Sequence, residues 1–295
     1  MSLWFGETTL RDASILTSIA ATATTKIQLG TAILNIYTRT PSQLALLGST
    51  LNEFSQGRFT LGLGVSTGAI VEAWHGVPFV SPMARMDETV RIIRLYYSGE
   101  KFSFRGKHSS PNGARLKTSF PPKIAIAALN DGMLRKAATI GDRIILNLYS
   151  VDRIKHATGI INDACKSAGK TAPILSVMLY TQLTNINDNL DPAKDLISFY
   201  ASSPAYSLLF SNSGFSKEAK AMQEAWKKKD RATVKSNVTE EMIKKFMLVG
   251  SMQNLRERIR QYHEAGVNDV FISPSPFGNY EETLNAVITS ILSPK

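Results

Sequence analysis

Short apolar strands alternate with amphipathic helical stretches along almost the whole chain, and that alternation constrains the fold more than any other feature. Residues 52–64, Asn-Glu-Phe-Ser-Gln-Gly-Arg-Phe-Thr-Leu-Gly-Leu-Gly, show the unit at its clearest. A helical pattern over 41–54 stops at Gln56-Gly57, and an apolar strand follows at once and ends in glycine. A similar helix–turn–strand unit runs over 12–33, with Gly30 inside the strand. Strands are expected at 3–6, 26–33, 59–65, 123–127, 143–147, 174–182 and 269–273. Helices are expected at 12–22, 41–54, 85–97, 131–140, 151–168, 252–265 and 280–292. The strands are continuous apolar runs rather than alternating ones, as in a parallel sheet covered on both faces. The expectation is an α/β protein with helices outside a parallel sheet.

Two stretches break this rhythm. Residues 99–122 hold Gly106, Pro111, Gly113, Pro121 and Pro122, and read as an excursion with a short hairpin near 102–107. Residues 185–250 are helix-rich and polar, and read as an insertion, or lid, before the last strand. Neither resembles an interdomain linker, so residues 1–295 are expected to form one barrel domain. A (βα)8 barrel needs eight strands, and seven are legible, the chain opening directly on one of them.

Composition removes several function classes. The net charge is +10, which favours anionic partners. The basic residues form no arm or stripe, and no nucleic-acid-binding motif is present, so an anionic cofactor or substrate is the expected partner. No apolar run approaches the ~18–20 residues a membrane span needs, and no signal peptide is visible, so a cytoplasmic location is expected. The single cysteine, Cys165, excludes an internal disulfide and sits at an apolar position of a helical pattern. His75, His108, His156 and His263 show no metal-ligand spacing, so no metal site is expected. His75, in a loop, is a candidate substrate contact. No Gly-x-Ser-x-Gly elbow or phosphate-loop lysine is present.

Two strand-to-helix turns are candidate phosphate sites. Leu61-Gly62-Leu63-Gly64-Val65-Ser66-Thr67-Gly68 nearly spells a dinucleotide fingerprint, but its third glycine falls one place late. Ala127-Ala128-Leu129-Asn130-Asp131-Gly132 can cap a helix whose first N–H groups suit a phosphate, provided that the Asp131 carboxylate turns away. A plainly capped turn explains the same residues.

Several motifs in order resemble the bacterial-luciferase-like superfamily of flavin and deazaflavin oxidoreductases. They are Leu3-Trp4-Phe5-Gly6-Glu7, Ile27-Gln28-Leu29-Gly30-Thr31-Ala32-Ile33, Thr38-Arg39-Thr40-Pro41, residues 51–64, Met83-Ala84-Arg85-Met86-Asp87-Glu88, residues 141–147, Leu248-Val249-Gly250 and Glu264-Ala265-Gly266-Val267. Asn35-Ile36-Tyr37-Thr38-Arg39 is similar to the branch that uses coenzyme F420, of the methylene-tetrahydromethanopterin reductase type. The resemblance implies a (βα)8 TIM barrel that here lacks the first strand and helix, with a helical insertion before the last strand. An upstream gene start or a covering segment would then close the gap. It also implies a cis peptide at Ala32–Ile33 behind the cofactor ring, and a homodimer. The implied cofactor contacts are Ala32, Ile33, Asn35, Gly64, Ser66, Ala128, Leu129, Asn130, Gly132, Met133 and Asn147, with the phosphate tail at 64–68 and 128–133.

The chain departs from family members that dehydrogenate alcohols. Thr8 replaces their histidine after the strand-end acid, and Thr67 replaces their acid after the strand glycines. Glu7 remains as the candidate catalytic acid. Three readings follow: an F420-dependent reductase acting on a small molecule, an FMN-dependent monooxygenase, and a catalytically silent cofactor-binding homologue.

Overall fold

The computed structural model describes residues 1–7, 11–117, 120–183, 189–277 and 280–292. They fall into two compact units, Met1–Ala128 with Gly132–Ile145 and Ala164–Pro173, and Leu129–Asp131 with Leu146–Asp163 and Ile174–Lys295.

The first unit holds β1 (Ser2–Phe5), α1 (Ala13–Ala23), β2 (Gln28–Thr31), β3 (Leu34–Asn35), α2 (Pro41–Phe54), β4 (Phe59–Gly64), α3 (Gly68–Ala73), α4 (Pro82–Tyr97), β5 (Lys123–Ala127), most of α5 (Asp131–Ile140) and the start of β6 (Arg143–Asn147). Its strands are parallel. Leu3 lies opposite Leu29, Leu29 opposite Phe59, Leu61 opposite Ile124, and Ile126 opposite Ile144. Leu61, Leu63 and Ile126 are 0% exposed, which fits a sheet covered on both faces. Each such side chain stabilises the fold by about 1.5–3 kcal/mol. Among the described residues, β1 pairs with β2 alone.

Local chemistry sets the helix ends. Asp12 caps α1, its side chain accepting from the backbone N–H groups of Ser14 and Ile15. Thr40 and Gln43 form a reciprocal capping box at the start of α2, with Pro41 in the first turn. The chain leaves α2 through Gln56 (φ 55°) and Gly57 (φ 82°), both left-handed. Arg58 then fastens the next strand. All five of its N–H groups donate to oxygens: those of the Ser55, Ile27, Ala21 and Thr24 carbonyls, and the Thr24 hydroxyl, at 2.7–3.1 Å. Asn52 accepts from Phe59 N and donates to Phe120 O, tying the end of α2 to β4 and to the chain before β5.

The second unit holds the end of β6, α6 (Val151–Ala168) up to Asp163, and β7 (Ile174–Leu183). Five helices follow: α7 (Asp191–Ala201), α8 (Pro204–Ser211), α9 (Ser216–Lys227), α10 (Arg231–Ser236) and α11 (Glu240–Phe246). β8 (Leu248–Gly250), α12 (Met252–Glu264), β9 (Asp269–Pro274) and α13 (Tyr280–Leu292) complete it. β9 runs parallel to β7 from Ser176 to Thr181, and β8 from Thr181 to Leu183. Phe246 packs against Phe210 and Phe215, with ring centroids 4.8 and 5.8 Å apart, and anchors the inserted helices. The insertion expected at 185–250 is therefore helical from 191 to 246, its first residues lying outside the described ones.

The structure corrects the sequence reading in several places, among them α3, which was not expected, and α4, which starts at Pro82. β2 ends at Thr31, and the ladder resumes as β3 after a cis Ala32–Ile33 peptide. β8 is an additional three-residue strand. The hairpin expected near 102–107 is wider and is held by one antiparallel bridge, Phe102 to Ala114. No helix among the described residues is long and apolar enough to cross a membrane.

Candidate active site

The C-terminal ends of β1 to β4 carry the first cluster of expected site residues. Ala32 N donates to Phe5 O at 2.7 Å, and Glu7 N to Ile33 O at 3.4 Å. Asn35 lies opposite Gly64 in the β3–β4 ladder, and Ile36 N donates to Gly64 O at 3.1 Å. Gly64 is a close approach that only glycine allows, since a Cβ there would sit 2.5 Å from the Ile33 side chain. Glu7, Ala32, Ile33, Asn35 and Gly64 are thus brought together. The Asn35 side-chain oxygen accepts from Tyr37 N at 2.9 Å and so shapes the turn beyond β3.

Glu7 occupies an ion-pair network. Arg39 Nη1 donates to Glu7 Oε2 at 2.5 Å and Nη2 to Oε1 at 2.6 Å, while Nη2 also reaches Asp12 Oδ2 at 3.0 Å. Asn35 N adds a contact to Glu7 Oε2 at 3.4 Å. The Arg39 and Glu7 side chains are 17% and 19% exposed. Burial alone would lower the Arg39 pKa, but the bonds to Glu7 and the charges of Glu7 and Asp12 raise it. Burial pushes the Asp12 carboxyl up, and the Ser14 hydrogen bonds with the Arg39 charge more than offset this and hold it below its ordinary value. Both Glu7 oxygens therefore serve as acceptors for a guanidinium, an arrangement that positions Arg39.

Ser66 is left-handed (φ 58°), and the Thr67 hydroxyl accepts from Ile70 N at 3.4 Å to cap α3. Further on, Ala128 N donates to Ile145 O at 3.0 Å, and Met133 is 4% exposed at the start of α5, next to Gly132.

In the second unit, the Tyr149 hydroxyl donates to Leu129 O at 2.7 Å, fixing the turn that also holds Asn130. The two Asp131 oxygens lie 3.1 and 3.2 Å from His156 Nε2, and Arg153 Nη2 is 3.7 Å from one of them. The Asn147 amide donates to the Tyr206 hydroxyl at 2.7 Å, while Asn147 Oδ1 is buried without a partner. The Tyr206 and Tyr200 rings pack tilted at 51° with centroids 4.5 Å apart, and the Tyr200 and Tyr180 hydroxyls meet at 2.5 Å. Burial raises the pKa of all three phenols, so they act as neutral hydrogen-bonding groups.

The family model for luciferase-like monooxygenases matches residues 1–269. The chain belongs to this family. It is similar to 5,10-methylenetetrahydromethanopterin reductase of Archaeoglobus fulgidus, with 29% identity over 97% of this chain and 88% of that protein. Among solved structures, the coenzyme F420-dependent tetrahydromethanopterin reductase of Methanopyrus kandleri superposes with a TM-score of 0.80, at 24% identity, over 96% of this chain and 88% of that one. An F420-dependent secondary alcohol dehydrogenase bound to an F420–acetone adduct gives 0.77, at 18% identity, over 99% and 90%. The fold is the luciferase-like α/β TIM barrel, and the protein is an enzyme, an oxidoreductase.

In this luciferase-like chain the fold also gathers residues that its sequence did not single out. The tyrosines at 180, 200 and 206 come from β7, α7 and α8, and no local pattern links them. Arg153 has a buried Nε without a partner, although it reads as one polar residue of an amphipathic helix. Arg39 was legible as part of a motif, but its partner lies 32 residues away. His75 is exposed after α3, Cys165 is buried, and Thr8 lies outside the described residues.

Proposed function

We propose that the protein is a coenzyme F420-dependent oxidoreductase working as a reductase on a small molecule. The observation that carries this reading is the Glu7–Arg39 pair. With both Glu7 oxygens engaged and Thr8 following in the sequence, the described residues of this strand end offer no free base to deprotonate an alcohol. Hydride delivery needs positioning more than a strong base, and the similarity to the Archaeoglobus reductase over nearly the whole chain favours the same direction.

The residues present fit such a cofactor. The Asp131 carboxylate is engaged by His156 and lies near Arg153, whose positive charge partly offsets it, and this supports a phosphate at the turn. Asn147 Oδ1 is a buried acceptor without a donor, as expected of an atom that receives a ring N–H from a ligand. When bound, the coenzyme supplies a hydride at its C5 atom. In the first unit, Ala32, Ile33, Asn35, Gly64, Ser66, Ala128, Gly132 and Met133 would hold it. In this reading Ile33 would back the ring, and the turn at 64–68, with Ala128, Gly132 and Met133, would take the phosphate-bearing tail. Glu7 orients Arg39. We also infer a homodimer, since α1 exposes Ile15 and Ile19 one turn apart and α2 exposes Leu46 and Phe54.

Fluorescence titration of the purified chain with coenzyme F420 and with FMN tests the cofactor. Affinity for F420 at least about tenfold above that for FMN, a difference of about 1.4 kcal/mol, is the expected result. FMN preference would replace the reductase by the monooxygenase. Binding of F420 without turnover of any of a panel of small electrophiles would leave a silent homologue.

A further inference from the structure

A cavity lies beside the ion-pair network in the first unit. It measures about 550 Å³ including its open mouth, and residues 36–41 and Gln43 line it together with Arg85, Glu88 and Thr89 of α4 and His108 and Ser109 of the excursion. Its charges are unevenly satisfied. Arg39 already pairs with Glu7 and Asp12. The Glu88 carboxylate already accepts from the backbone N–H groups of Lys107 and His108, at 2.7 and 2.8 Å. Arg85, by contrast, has no acidic partner among the described residues. Its guanidinium lies 4.5 Å from the centre of the Tyr37 ring, and its Nε is buried with nothing to donate to. His108 Nε2 is likewise buried and unpartnered.

We propose that this cavity is a binding site for an oxyanion, a phosphate or carboxylate group, with Arg85 as its counter-charge and His108 Nε2 as a second hydrogen-bonding atom. A half-buried guanidinium without an acceptor bears a desolvation penalty that an oxyanion relieves, because its oxygens accept charge-assisted hydrogen bonds. Tyr37 holds the guanidinium plane from one side: its own hydroxyl is fixed to Val80 O at 2.8 Å and its ring lies 5.1 Å from Phe79. Glu88 sets the position of His108 through the two backbone N–H groups, so the acid in the cavity builds the site instead of competing for Arg85. The oxyanion could belong to a free small molecule or to the acidic tail of a bound cofactor. The proposal stands on this cavity alone and holds whether or not the F420 reading does.

The test uses the full chain without cofactor, titrated calorimetrically with inorganic phosphate at constant ionic strength. One saturable site is expected. Arg85→Gln should weaken it at least about tenfold, as for loss of a hydrogen bond to a charged group. His108→Gln should weaken it less, and Arg260→Gln, on an exposed helix face, should leave it unchanged. If Arg85→Gln lowers the melting temperature, Arg85→Lys keeps the charge without the fork and should retain weaker binding. Absence of saturable binding to the native chain, or equal binding by the native chain and a folded Arg85 variant, overturns the proposal. Repeating the titration with F420, and with its chromophore lacking the phosphate tail, separates the sources. Loss of phosphate binding only with the complete coenzyme assigns the site to the tail, and phosphate binding that persists assigns it to a separate ligand.

Discussion

At the scale of single residues, the Glu7–Arg39–Asp12 network makes two predictions. Glu7→Gln removes one partner of a largely buried pair and leaves Arg39 with an incomplete acceptor set. The expected loss is about 1–3 kcal/mol of stability, measured by denaturant unfolding. Equal stability of the variant would remove Glu7 from its positioning role. Asp12 has a folded pKa below its free value of about 3.9. A lowered carboxylate pKa contributes stability that is complete above the free value and is lost as pH falls through the folded value. The start of α1 should therefore loosen below about pH 4, seen as faster amide exchange over residues 13–17. Asp12→Asn keeps a capping oxygen and should flatten that pH dependence. None of these links was legible beforehand. Arg39 and Glu7 each stood out in a motif, but motifs are local, and the pair joins strand ends whose meeting depends on the parallel ladder.

At the scale of elements, most of the pattern could be read directly. The helices at 41–54, 131–140, 151–168 and 280–292 and the strands at 123–127 and 143–147 have the expected ends, because caps, glycines and apolar runs are short-range signals. The elements that escaped are those without a period. β3 has two residues and β8 has three, too few for either template. The excursion after α4 is tied by a single bridge and by side-chain bonds such as Ser103 Oγ to Asn112 Oδ1. The residues at 52–64 were read as a helix–turn–strand unit, and Arg58 is what fastens it. Arg58→Met would strand five oxygens at once and should cost about 3–5 kcal/mol, on the scale of breaking a buried charged group's partnerships. At Gly62 a Cβ would lie 1.7 Å from Thr31 O, a backbone atom that cannot move aside. Gly62→Ala should therefore separate β2 from β4 and give an insoluble or unfolded product, and a well-folded variant with an unchanged melting temperature would contradict the register described here.

For the molecule as a whole, the fold was more legible than the site. Strand–helix alternation and the order of motifs were sufficient for the barrel type. The tyrosines behind Asn147 were not visible, since they come together only after five helices have been inserted between β7 and β8. The proposed homodimer makes its own prediction. Ile15→Glu combined with Leu46→Glu places charge on the exposed apolar positions and should shift the chain to a monomer in sedimentation velocity, with its circular dichroism unchanged. A dimer that survives both changes would assign the interface elsewhere.

Cys165 is the only thiol in the chain and is 4% exposed, with its Sγ against Ala138 O and its pKa raised by burial. A chromogenic disulfide reagent can therefore reach it only when the packing of α6 on α5 opens. The native enzyme thus carries an unengineered stopwatch: the rate of colour release at saturating reagent is the opening rate of that helix pair.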